Sequence, residues 1–276
     1  MIRVLSTRRR HPLASVAVLL CALLVFGISY ATLAPSSGAT ESASSTQISE
    51  GKQLFAIGCS SCHGLNGEGQ LREDGTVIGP SLVGVGAAAV DFQVGTGRMP
   101  MAAPGAQAER KPVAYTQDQI DAMAAFVASL APGPAIPPEE ELSTEGADIA
   151  RGGVVFRTNC ASCHNTTGQG GALTYGKEAP ALTGVEPRHM YGAMVTGPQA
   201  MPVFSDETLP MQDKRDLMAY LQTIEGQPDP GGLGIGRAGP VSEGLWAWLV
   251  GIGGLIGFTV WVTTRPASAS KSSKSS

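Results

Sequence analysis

Charge is scarce in this sequence: Asp, Glu, Lys and Arg make up 15% of the 276 residues, against about 25% in an ordinary soluble domain. Aromatic side chains are scarcer still at 5%, so the rings that usually dominate a core are missing and something else must fill it. An excess of basic residues is lacking too. With 19 Lys and Arg against 23 Asp and Glu, the net charge is −4, which offers no basic surface for phosphate backbones and excludes nucleic-acid binding as a leading function. Gly and Pro together reach 55 residues, about a fifth of the chain, and stay below the roughly 25–30% at which composition alone implies disorder. The chain is loop-rich but folded, and its 43% hydrophobic content is enough to bury a core.

The few charges are unevenly placed. Arg3, Arg8, Arg9, Arg10, Arg265, Lys271 and Lys274 lie in the terminal tails, leaving 12 cations against 23 carboxylates between them, a net −11. Each basic tail abuts an uncharged apolar run. Leu13 to Leu33 is 21 residues, about 31 Å as a helix and the thickness of a hydrocarbon core. Leu245 to Val262 is 18 residues with Trp246, Trp248 and Trp261 near its ends, where aromatic rings favour the interface. By the positive-inside rule both termini are cytoplasmic and residues 34–244 extracytoplasmic. A cleaved signal peptide is the competing reading of the first run, since Ser37-Gly38-Ala39 resembles a cleavage site; the apolar run is longer than a usual h-region of about 7–15 residues and favours a retained anchor. Cys21 follows Leu20 inside that run and reads as a small lipid-facing side chain.

The outer region repeats with a period near 100. Gly58-Cys59-Ser60-Ser61-Cys62-His63 matches Asn159-Cys160-Ala161-Ser162-Cys163-His164, Pro80-Ser81-Leu82-Val83-Gly84 matches Pro180-Ala181-Leu182-Thr183-Gly184, and Met99-Pro100 matches Met201-Pro202. Ala125-Phe126-Val127 likewise matches Ala219-Tyr220-Leu221. Two copies of one domain are therefore expected, at 48–131 and 146–226. They are joined by a Pro/Glu linker at 132–145, flanked by linkers at 34–47 and 227–244, spans at 13–33 and 245–263, and cytoplasmic tails at 1–12 and 264–276.

Each copy is expected to be helical at its ends. Ser49 and Thr144 are N-cap residues for short helices over 50–57 and 145–157 that deliver the chain to each Cys pair. Thr116 and Gln119 have capping-box spacing, and Ile120, Met123, Ala124, Val127 and Leu130 form one apolar stripe, repeated as Leu217, Tyr220, Leu221 and Ile224. Segments 64–98 and 165–200 show no sustained period and read as ordered loops. The link from Ala131 to Leu142, with four prolines and three consecutive glutamates, reads as extended and stiff.

The chemistry lies in Cys-x-x-Cys-His, present twice. Two cysteines at this spacing form thioethers to the vinyl groups of one haem while the adjacent histidine coordinates its iron. A thioredoxin-like pair would want a βαβ context, and a zinc site would want its second Cys pair about 15–20 residues away. Two covalent haem c groups also explain the missing aromatics, because each macrocycle is a large apolar core element. The cofactor-binding residues are Cys59, Cys62 and His63, and Cys160, Cys163 and His164. For the sixth iron ligand, Met99 and Met201 follow their histidines by 36 and 37 residues, each before a proline. Methionine raises the potential and suits electron transfer, whereas an open position suits peroxide or oxygen chemistry. Met101 is the rival in the first copy, His189 in the second. Met123, Met190, Met194 and Met218 read as packing residues.

These tandem motifs, the shared Pro-x-Leu-x-Gly and Met-Pro, the segment Gly97-Arg98-Met99-Pro100-Met101, the Arg-rich N-terminal anchor and the C-terminal span resemble the dihaem cytochrome c subunit of the actinobacterial-type cytochrome bcc complex, a menaquinol:cytochrome c oxidoreductase. The resemblance implies a mainly α fold: two tandem class I cytochrome c-like haem domains between an N-terminal and a C-terminal transmembrane helix. It implies an electron carrier without a catalytic site of its own, in the cell membrane, in contact with lipid. Electrons would pass from the Rieske iron–sulfur subunit, beside the cytochrome b subunit, to the copper subunit of a terminal oxidase. It also implies that Pro80 and Pro180 sit against the histidine faces of their haems. A dihaem subunit of a cbb-type oxidase or of a membrane dehydrogenase, and a dihaem peroxidase, remain as other readings. The outer carboxylates Glu68, Glu73, Asp74, Asp91, Asp206, Glu207, Asp213 and Asp216, with Glu139, Glu140 and Glu141, are expected to steer docking by charge.

Overall fold

The computed structural model describes residues 12–33, 43–228, 237 and 240–264. The basic tails before 12 and after 264, residues 34–42 of the expected first linker and all but Arg237 of 229–239 lie outside the described residues. The fold is mainly helical. α1 (Pro12–Leu33) carries the first apolar run without a charge. Its described side chains, within the apolar stretch Val16–Ser29, are all exposed. At the other end, α11 (Pro240–Thr264) contains a 21-residue stretch, Gly244–Thr264, long and apolar enough to cross a membrane and with none of it buried.

Between them lie two copies of one arrangement. In the first, α2 (Ser45–Gly58) leads into the short α3 (Ser60–His63), a two-stranded hairpin of β1 (Gln70–Leu71) and β2 (Val77–Gly79), then α4 (Gly86–Gly95) and α5 (Gln117–Leu130). After the single turn α6 (Glu139–Leu142), the second repeats the order. It comprises α7 (Ile149–Asn159), α8 (Ala161–His164), the β3 (Gly171–Ala172) and β4 (Glu178–Ala179) hairpin, α9 (Pro187–Thr196) and α10 (Met211–Gly226).

In each copy the first and last helices cross at a glycine. A Cβ on Gly51 would overlap the Ala122 carbonyl, and one on Gly152 the Asp216 carbonyl, so both crossings are closed to any larger residue. Beside each crossing an aromatic pair locks the helices: Phe55 with Phe126 at 5.1 Å, and Phe156 with Tyr220 at 5.7 Å between ring centres.

The capping box at Thr116 and Gln119 forms as its spacing predicts, and Ile120, Met123, Ala124 and Val127 are buried. Three local expectations are corrected. The helix expected over 50–57 begins at Ser45, capped by Ser44, whose hydroxyl accepts from Gln47 N, and Ser49 lies inside it. The one expected over 145–157 begins at Ile149, capped by Asp148 accepting from Arg151 N, while Thr144 donates to the Gln222 side chain. The third is that 64–98 and 165–200 are not loops throughout, since each holds a hairpin and a ten-residue helix. α4 escaped the periodicity test because polar and apolar positions alike are buried: Ala88, Asp91, Phe92 and Val94 all lie inside, and a helix covered on several sides shows no stripe.

The two copies dock through these overlooked helices. Gly192 of α9 comes against the Ala88 carbonyl and Phe92 of α4, and His189 fills the space over Gly95. The Pro-rich link is irregular over 131–138 but packed: Ala88 N donates to the Pro134 carbonyl, Ile136 joins the second domain's core, and Leu142 is 5% exposed.

Candidate functional site

Each Cys-x-x-Cys-His motif folds into one tight turn at the end of a helix. Cys59 N donates to Phe55 O, ending α2, and the Cys59 carbonyl then accepts from Cys62 N and His63 N at 3.1 and 3.0 Å. In the second copy Cys160 N donates to Phe156 O, and Cys160 O accepts from Cys163 N and His164 N at 3.1 and 2.9 Å. Both thiols and the imidazole of each motif are thereby fixed within one helical turn. The chain leaves through a residue of positive φ, Gly64 (φ 77°, ψ 162°) in one copy and Asn165 (φ 67°, ψ 164°) in the other, a conformation that glycine adopts readily and other residues rarely.

The histidines show the same geometry twice. His63 Nδ1 lies 2.8 Å from the Pro80 carbonyl and His164 Nδ1 2.9 Å from the Pro180 carbonyl. A carbonyl only accepts, so Nδ1 carries the proton and Nε2 is left with a lone pair, the arrangement a metal-bound imidazole requires. Both rings are buried, each residue 9% exposed, and burial pushes the His164 imidazole below its ordinary range against the opposing Pro180 bond. The loop carrying each proline is tied back identically: Gly69 N to His63 O and Leu82 N to Gly67 O, matched by Gly170 N to His164 O and Leu182 N to Gly168 O.

All five cysteines are free. Burial, reinforced by the second thiol of the pair, pushes Cys59 and Cys160 up to about 11. That is the reverse of the lowered pKa of a thioredoxin-type nucleophile. Among the described residues no group of three or more His, Cys, Asp or Glu side chains is placed to hold a metal ion by itself.

The two methionines expected as sixth ligands each pack against a core cluster that also includes a motif cysteine. Met99 packs in the cluster of Val94, Ile120 and Met123 that also touches Cys59, and its N–H donates to Gln93 O. Met201 packs against the second domain's core, as Cys160 does. Met101 joins no core cluster and turns toward Gly105. His189 lies on the domain boundary, with Nε2 3.9 Å from Asp91 and Nδ1 3.9 Å from Glu186. Met123, Met190, Met194 and Met218 are buried packing residues. Each domain thus holds two thiols, an imidazole with its Nε2 lone pair available and a thioether, which is the donor set that fits a covalent haem.

Two carboxylates assigned by sequence to a docking surface are not on the surface. Asp91 is 1% exposed and accepts from Arg188 across the domain boundary at 2.7 Å, and Asp216 is 3% exposed, accepting from Asp148 N and Gln212. The sequence reading missed the domain interface entirely. It includes Arg188 to Asp121 at 2.6 Å, the reciprocal bonds between the Gln107 amide and the backbone of Glu178 at 2.9 and 2.8 Å, and Gln199 donating to Ala108 O. No spacing rule signals partners 67 to 97 positions apart.

Residues 48–131 match the cytochrome c family, and residues 147–221 match the family described as cytochrome C oxidase, cbb3-type, subunit III. Similarity to curated proteins runs along most of the chain. The cytochrome bc1 complex cytochrome c subunit of Mycobacterium bovis is 42% identical over 265 residues, covering 94% of this chain and 93% of that protein. The subunit of the same name from Corynebacterium efficiens is 45% identical over 232 residues, 79% of this chain and 77% of that protein. The one from Corynebacterium diphtheriae is 44% identical over 232 residues, 79% and 81%.

Proposed function

The chain belongs to the family of cytochrome bc1 complex cytochrome c subunits, and from that premise we propose that it is the electron wire between a quinol-oxidising complex and a terminal oxidase. It is a cytochrome with two covalently bound haem c groups. The observation that carries this reading is the duplicated histidine geometry, with Nδ1 held by a prolyl carbonyl in both domains.

Each haem supplies a one-electron iron couple; the chain supplies everything that holds and tunes it. Cys59 with Cys62, and Cys160 with Cys163, would form the thioethers. His63 and His164 would present Nε2 to the iron, and the bonds that their Nδ1–H groups donate to the Pro80 and Pro180 carbonyls keep the rings oriented and more basic. Met99 and Met201 would complete the coordination with soft thioethers, which closes the site to peroxide and oxygen and favours transfer over catalysis. A methionine packed beside the motif in both domains speaks against a dihaem peroxidase, which needs one open or weak site. The cbb3-type match covers the second haem domain alone, whereas the bc1-complex relatives align along the chain through both domains.

In this reading α1 and α11 both span the membrane, the basic tails stay cytoplasmic, and the haem domains face outward, where haem attachment takes place. The partners are the cytochrome b subunit, the Rieske subunit and the copper subunit of the oxidase. Affinity purification of the full chain from detergent-solubilised membranes tests this. Cytochrome b, the Rieske protein and oxidase subunits are expected to co-purify with quinol oxidase activity, and the Cys59→Ala/Cys62→Ala variant is expected to halve the pyridine haemochrome per chain. A haem-bearing chain that purifies alone and without quinol oxidase activity would refute the assignment to this relay.

A further inference from the structure

Arg98 is a buried cation without an anion. It directly precedes Met99, is 8% exposed, and its guanidinium stands 4.8 Å from the centre of the Phe92 ring. Among the described residues it forms no ion pair and donates no side-chain hydrogen bond, and the charge that acts on it is a second cation, Arg110. Other buried charges are partnered. Asp91 meets Arg188, Lys214 meets Asp206 and the Leu209 carbonyl, and Asp216 meets Gln212 and Asp148 N. An aromatic face offsets only part of what a guanidinium loses on leaving water; the remainder calls for an anion.

No carboxylate of the described chain fills that role, so the anion comes from the ligand. We propose that Arg98 binds a propionate of the first domain's haem, its planar fork matching the carboxylate. This rests on the reading of the motifs as haem sites and adds to it a residue that the Cys, His and Met pattern does not contain. The location supports it: Arg98 is one residue from Met99, which packs against the same buried cluster as Cys59, and α4, which carries Phe92, supplies Val94 to that cluster. The device belongs to one domain only. At the position of Arg98 the second repeat has Ala200, so this cation acts on the first haem alone.

The electrostatic consequence has a definite sign. A cation paired with the propionate cancels a negative charge near the iron; without it, that charge favours the ferric over the ferrous state. Spectroscopic redox titration of the purified full chain is the test. Arg98→Gln is expected to lower one of the two midpoints and leave the other unchanged, with two haems per chain by pyridine haemochrome and the iron–sulfur charge-transfer band intact. Arg98→Lys, which keeps the charge, is expected to restore most of the midpoint, and the exposed Arg110→Gln to move it little. Unchanged midpoints in Arg98→Gln, with both haems attached and methionine-ligated, would overturn the proposal and leave the haem reading standing; a native chain without covalent haem would overturn both. Should Arg98→Gln fail to accumulate, resonance Raman spectra of Arg98→Lys decide. One of the two propionate-bending bands is expected to shift on loss of the guanidinium fork, and unshifted bands would refute the contact.

Discussion

Asp91 and Arg188 meet at 2.7 Å across the boundary between the two haem domains, the carboxylate 1% exposed and the guanidinium side chain 28% exposed. Arg188 also reaches Asp121 at 2.6 Å, and Gln117 bridges both carboxylates. Separating the domains would strand Asp91 inside the first, so the pair holds them together. Removing one member of a fully buried pair costs roughly 3–5 kcal/mol. With Arg188 partly hydrated, Arg188→Ala is expected to cost about 2–3 kcal/mol in urea unfolding of the holo-protein. Asp91→Asn combined with Arg188→Ala should cost less than the sum of the two, and strict additivity would show that the pair contributes no coupling.

The helix crossings make a second prediction. Gly51 and Gly152 stand where a Cβ would overlap a backbone carbonyl of the partner helix, and a carbonyl cannot rotate away as a side chain can. Gly51→Ala and Gly152→Ala should each destabilise by about 1–3 kcal/mol through forced separation of the helices. A midpoint unchanged in either variant would mean the crossing relaxes without loss.

The third concerns the proposed iron ligands. Met99→Ala and Met201→Ala should each remove about half of the iron–sulfur charge-transfer absorbance and lower one midpoint, as expected when a thioether is lost. Met101→Ala and His189→Ala should leave the band intact, because Met101 lies outside the core clusters and His189 faces Asp91. Loss of the band in Met101→Ala instead would move the register of the first copy by two residues.

What was legible in the sequence was whatever repeats or caps locally. The two Cys-x-x-Cys-His turns and the Thr116 capping box are set within a few residues, and each has its counterpart in the structure; that Pro80 and Pro180 sit by the histidines followed from the family resemblance. Gly51 and Gly152 repeat at the same offset as the haem motifs, 101, a signal that was available and unused. α4 and α9 were hidden because burial on several faces erases amphipathic periodicity. The interface around Asp91 and Arg188 could not be read, since nothing in either residue's neighbourhood marks a partner 97 positions away.

The boundary also carries a pH response. His189 has 13% of its side chain exposed, and burial pushes its imidazole below the ordinary range. Asp91 and Glu186 oppose that shift, while Arg188 and Arg110 add to it. Folding therefore favours the neutral ring, whereas the unfolded chain takes up a proton near pH 6.5. The unfolded state binds more protons below that value, so this contribution is complete above about pH 6.5 and is lost as pH falls through it. The urea midpoint of the holo-protein should fall between pH 7.5 and 5.5, and His189→Gln should flatten that fall. An equal slope in the variant would assign the pH dependence to other groups.

With Asp91 and Asp216 withdrawn into the interior, the acidic docking surface consists of carboxylates that remain in water. Glu68, Glu73 and Asp74 lie on the first domain, Glu139, Glu140 and Glu141 on the link, and Asp206 and Glu207 on the second domain. Asp213 is largely occupied by Arg151 at 2.7 Å, and Asp206 by Lys214. Glu139, Glu140 and Glu141 are three consecutive exposed carboxylates on the link, and a cationic redox partner should be drawn there. Such fields raise encounter rates more than affinity, and exposed charges are screened beyond about 10 Å at 0.1 M salt. The detergent-solubilised full chain should thus exchange electrons with a small basic redox protein more slowly as salt rises. Neutralising Glu139, Glu140 and Glu141 to Gln should reduce that slope more than Glu207→Gln does. A bimolecular rate that is flat from low to high salt would show that the acidic surface serves solubility and does not steer docking.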